Sequence, residues 1–86
     1  MVTKDDRYST TSIKDSLHKL LKEYQIEYYR NKEIVDRILL LLRQRKYDSV
    51  QGLIYTTAVV KYGTNMSQSR AGLVGAAIEK WWTDPN

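Results

Sequence analysis

The apolar residues of this chain fall into helical stripes, and one stripe is too wide for a single face. From Asn31 to Lys46 the sequence reads NKEIVDRILLLLRQRK. It opens with a capping residue and acids, Asn31, Glu33 and Asp36, and closes with Arg43, Arg45 and Lys46. A helix dipole favours that order. Its middle, Ile38 to Leu42, is apolar at every position. Successive residues point about 100° apart on a helix, so this run reaches nearly all the way round the axis. The segment therefore predicts a helix that must be covered from several sides.

Three flanking stripes offer that cover. Leu17, Leu20, Leu21, Tyr24 and Tyr28 recur at helical spacing, after a start signal at Ser12 to Asp15. This helix is expected to end near Tyr29, with Arg30 and Asn31 as a tight connection. Val50, Leu53, Ile54 and Ala58 fit a second stripe, although the run LIYTTAVV also has strand propensity. Helix is preferred over residues 50–62, because Gly63 then stands where a left-handed C-terminal cap belongs. Tyr47, Asp48 and Ser49 read as a turn before it, with Asp48 or Ser49 as the cap. Leu73, Val74, Ala77, Ile78 and Trp81 form the last stripe, on a helix that starts at Ser67 or Ser69 and ends near Trp82. The small pairs Ala71 with Gly75 and Gly72 with Ala76 would let another backbone approach this helix closely. The neighbours Trp81 and Trp82 cannot both face one core.

The pattern as a whole predicts an all-α, small four-helix domain spanning 1–86, with a flexible lead at 1–7 and a flexible, polar tail at 83–86. Residues 8–13, YSTTSI, leave two options: a short N-terminal strand pairing in a dimer, or an extended lead-in to the first helix.

Composition narrows the class. The chain has 86 residues and no cysteine, which excludes disulfides and thiolate metal sites. A small core without staples makes oligomerisation a reasonable source of extra burial. The formal charge is +4 and the pI about 9.4, compatible with a polyanionic partner or with a merely solvated basic surface. Apolar runs fall far short of the ~20 residues that span a bilayer. Nothing resembles a signal peptide, so a cytoplasmic protein without a membrane partner is expected.

The sequence offers no catalytic signature. His18 is the sole histidine and sits at the edge of an apolar stripe, where a surface role outweighs a general base. No metal-binding or phosphate-cradling motif is present, so the expectation is a non-enzymatic chain with neither metal nor cofactor. A helix-turn-helix fails on spacing, because the position about six residues after Gly63 is the polar Ser69. Arg43, Arg45 and Lys46, gathered at one helix end, suit phosphate contacts or simply complement that end.

Residues 10–42, TTSIKDSLHKLLKEYQIEYYRNKEIVDRILLLL, resemble the ribbon-helix-helix family of dimeric DNA-binding proteins. The matching features are Thr10 to Ile13 as strand, Asp15 to Tyr29 as first helix, Asn31 as cap, and the paired aliphatics Ile34-Val35 and Ile38-Leu39. The resemblance implies a homodimer whose paired strands enter the major groove of double-stranded DNA. It implies that Thr10, Ser12 and Tyr8 face bases and that Asn31 and Lys32 hold a phosphate. With Lys14, Arg43, Arg45 and Lys46, these form the candidate nucleic-acid set and point to a transcription regulator. The competing reading is a helical protein-interaction subunit or adaptor. Its candidate interface residues are Ile34, Ile38, Leu41, Leu42, Trp81 and Trp82, since aromatic residues concentrate at interface hot spots.

Overall fold

In the computed structural model, which describes residues 3–26 and 32–84, the chain folds as four helices. They are α1 (Thr10–Glu23), α2 (Lys32–Arg43), α3 (Tyr47–Thr56) and α4 (Gln68–Thr83). A 3-10 turn, Lys4–Asp6, precedes α1, and a π-helical turn, Thr57–Lys61, continues α3. The described residues contain no strand. The all-α expectation holds, and the strand option for residues 8–13 is corrected.

The reason lies at Ser9. Its Oγ accepts from the Ser12 N–H at 3.2 Å and caps α1. As a helix, the segment buries Ile13, Leu17 and Leu21 on one face. As a strand, Ser9, Thr11 and Ile13 would share a face carrying a single strong hydrophobe. Burial decides over β-propensity.

α1 stops six residues before its expected end at Tyr29. Gln25 takes φ 60°, the Gln25 N–H donates to the Lys22 carbonyl and the Ile26 N–H to that of Leu21. This is a Schellman ending built without glycine, and it is held by burial of Ile26 beside Leu21. α2 ends the same way: Arg45 has φ 59°, and the Arg45 and Lys46 amides return to Leu42 and Leu41. The expected connection through Tyr28, Tyr29, Arg30 and Asn31, including the Asn31 cap, lies outside the described residues.

Tyr47 to Ser49 are not a separate turn but the start of α3, with Lys46 in the N-cap position. The far end of that helix follows expectation. Gly63 has φ 63°, and both the N–H and Oγ1 of Thr64 donate to the Ala58 carbonyl at 2.9 Å. α4 starts at Ser67, whose Oγ accepts from the Arg70 N–H. Its buried face is rotated from the expected stripe: Ala71, Val74, Gly75, Ile78 and Trp82 are inside, while Leu73 is exposed. The cause is close docking on α3. A Cβ on Gly75 would lie 3.3 Å from the Gln51 Cα, and one on Gly72 would lie 3.3 Å from the Gln51 side chain.

The core runs the length of the bundle. Ile34, Val35, Ile38, Leu39 and Leu42 of α2 meet Val50 and Ile54 of α3, and Leu17 and Leu21 of α1. α2 is not covered all round, however. Leu40 is 55% exposed. The N-terminal lead, expected to be flexible, is tied down in its described part. Lys4 is buried, its Nζ over the rings of Tyr8 and Trp81, and Asp5 pairs with Arg43.

Candidate functional site

The candidate nucleic-acid residues divide between the two ends of the α1–α2 pair. Thr10 Oγ1 accepts from Arg43 Nη2 at 3.0 Å, and the same guanidinium forks onto the Asp5 carboxylate from Nε and Nη2 at 3.0–3.2 Å. Ser12, exposed in the first turn of α1, bonds with Ser9. Lys14 pairs with Asp36 at 2.7 Å. Lys32, at the start of α2, lies beside Lys14, His18, Asp15 and Asp36 around a small cleft. Asn31 is outside the described residues. Lys32 and Lys46 are separated by the whole of α2, roughly 20 Å at 1.5 Å per residue.

These pairings change the electrostatics. Arg43 and Lys14 each face a carboxylate, and Lys32 shares its cleft with two. Arg45 and Lys46 are exposed at the α2–α3 junction, and no ion pair to either is found among the described residues. The strongest phosphate-contact candidates are therefore these two adjacent residues rather than a continuous basic face.

The expected interface residues fare differently. Ile34, Ile38, Leu42 and Trp82 are buried within one copy of the chain, with exposures of 3% or less. Trp81 and Leu41 are half-buried. Trp82 and Trp81 do divide as their adjacency requires, one inside and one at the surface.

The conspicuous surface feature is an apolar groove of about 540 Å³ between α2 and α3. Leu40 and Leu41 form one wall, and Leu53 and Val60 the other. Val60, carried on the π turn, is 77% exposed. Arg37 and Lys61 stand at the rim, Ser49, Thr56 and Thr57 add hydroxyls, and Gly52 also lines the groove. Lys61 reaches Glu33 at 3.7 Å. The origin is the over-apolar run in α2. The core takes Ile38, Leu39 and Leu42, so Leu40 has nowhere to go but out.

Leu40, Gly52, Leu53 and Val60 were not among the sequence-derived candidates. The signal for Leu40 was present in the unbroken run from Ile38 to Leu42. No local signal marks Val60, because the π turn that presents it depends on the cap at Gly63 and Thr64.

Among the described residues, no group of acids and histidine is placed to hold a metal ion, and no helix is long and apolar enough to cross a membrane. His18 lines the small mixed-charge cleft with Asp15 and Asp36. No family model matches the chain, and no characterised protein or solved structure is detectably similar to it.

Proposed function

We propose that this chain is a non-enzymatic protein-interaction subunit or adaptor, with the α2–α3 groove as its contact surface. The observation that carries this reading is the pairing of two strongly exposed aliphatics, Leu40 and Val60, across a concave apolar surface. Contiguous exposed apolar surface of this kind marks interaction sites in soluble proteins. An intracellular, cytoplasmic setting belongs to the same proposal. Ile34, Ile38, Leu42 and Trp82 are already buried in one copy, so they do not offer a homodimer seam.

Duplex DNA binding is the second reading, favoured by Arg45 and Lys46 together with the net charge of +4. Its ribbon-helix-helix form requires Thr10 to Ile13 extended, and here they are the first turn of α1. DNA contact would therefore be made by the α2–α3 junction alone, through phosphates and without base readout.

One pair of variants separates the readings. Leu40→Glu/Val60→Glu should abolish binding of the apolar dye ANS, and Arg45→Glu/Lys46→Glu should leave dye binding intact. Neither wild type nor variants should shift the anisotropy of a labelled duplex at about 150 mM salt, where phosphate contacts alone bind weakly. A duplex affinity that collapses in Arg45→Glu/Lys46→Glu but survives Leu40→Glu/Val60→Glu would replace the contact reading with the DNA one.

A further inference from the structure

The glycine in the groove has no structural reason within the chain. A Cβ on Gly52 would meet nothing within 4 Å, whereas at Gly72 and Gly75 it would press on Gln51. Gly52 lies inside α3, within Tyr47–Thr56, where glycine weakens a helix relative to alanine. Its backbone is helical, so no left-handed angle calls for it. What its missing side chain does is keep the groove open beside Leu53 and Leu41. Small residues on a helix surface permit another backbone to come close.

The rim supplies the second observation. Arg37 is basic and in no ion pair found among the described residues, while Lys61 reaches Glu33 at 3.7 Å with both side chains more than half exposed, so that pair offsets the rim's positive charge only in part. A second copy docked symmetrically would bring the same two cations towards their own equivalents, and nucleic acid would find no use for Leu40 and Val60. A partner with acids beside an apolar stripe satisfies both the rim and the walls. A peptide added as a β-strand would need a sheet edge, and the described residues hold no strand; a polyproline-II peptide would need an aromatic-lined groove, and no aromatic ring lines this one.

Resting on the contact reading above, we infer that the groove receives an amphipathic α-helix with acidic flanks, which crosses α3 over Gly52. From Ser49 to Lys61, α3 and its π continuation form a wall roughly 18 Å long, so a helix lying along the groove and passing obliquely over Gly52 is about three turns.

The test is a phage-displayed library of helical peptides, about 16 residues long, with leucines at i, i+3, i+4 and i+7 and randomised flanks. It is panned on the full chain. Retained peptides should carry Asp and Glu at the flanks and should not bind Leu40→Glu. Gly52→Ala should raise Tm by about 4–8 °C while weakening those peptides about 5- to 100-fold, the range for overpacking by a methyl group. Gly52→Leu should fold and bind none of them.

Basic or neutral flanks on groove-dependent peptides would overturn the acidic partner and leave the contact reading standing. So would sedimentation showing a wild-type dimer that Leu40→Glu dissolves, since a second copy would then be the occupant. Unchanged affinity in both Gly52 variants would overturn the crossing over Gly52. Recovery solely of peptides that bind Leu40→Glu equally well, or of none at all, would remove both this inference and the reading beneath it.

Discussion

Gln25 and Arg45 hold left-handed backbone angles at the ends of α1 and α2, a conformation disfavoured for any residue with a Cβ. Gln25→Gly and Arg45→Gly should each stabilise the fold by about 0.5–1 kcal/mol in urea unfolding, net of the entropy that glycine adds to the unfolded chain. Gly75→Ala should do the opposite. Its new Cβ would lie 3.3 Å from the Cα and 3.4 Å from the N of Gln51, and backbone cannot swing aside as a side-chain tip can. Thermal unfolding should therefore rank Gly52→Ala above wild type and Gly75→Ala below it. At this scale Gly63 was legible, because glycine is the usual left-handed cap. The Gln25 and Arg45 endings were not, because nothing local distinguishes them from helical residues. The next residue decides each conformation: Ile26 enters the core after Gln25, and Lys46 leads into α3 after Arg45.

Among the elements, α1 is where local propensity and tertiary burial disagree. YSTTSI is β-branched and hydroxyl-rich, yet Ser9 caps a helix that sends Ile13, Leu17 and Leu21 inward. Ser9→Ala should cost about 1 kcal/mol, and far-ultraviolet circular dichroism at partial denaturation should show the loss as helix. An unchanged midpoint would mean that the cap contributes nothing. In α4 the ambiguity was one of rotation. The expected stripe ended in Trp81, and the close glycine contact with Gln51 turns the helix so that Trp82 is inside instead and Leu73 is exposed. Rotation of a helix about its axis is a property of the pair of helices, and one helix's own pattern determines it only to within about a residue.

For the molecule as a whole, the Cα radius of gyration is 12.1 Å, close to the ~12 Å expected of a compact chain of this length. With Ile34, Ile38, Leu42 and Trp82 buried in one copy, the chain alone should sediment as a monomer near 10.1 kDa. Core truncation should be costly. Ile54→Ala removes a side chain with 0% exposure and should lower stability by about 2–5 kcal/mol, read as a shift of the urea midpoint at constant slope. The Asp5–Arg43 clasp is a weaker link. Both side chains are more than one-third exposed, so Asp5→Ala should cost about 1 kcal/mol or less, and less still at high salt.

Periodicity along the chain was enough to establish four helices, because a helix repeats its inward face every three to four residues whatever it packs against. It was also enough to show that the Ile38–Leu42 run holds more apolar surface than one face can use. Which leucine would be left outside could not be read there. That depended on where α1 and α3 settle around α2, and on the tight α3–α4 contact at Gln51. The candidate site is the remainder of that packing: Leu40 excluded from the core, Val60 turned outward by the π segment, and Gly52 leaving room between them. Each of the three is ordinary in the sequence and acquires meaning only from neighbours distant along the chain.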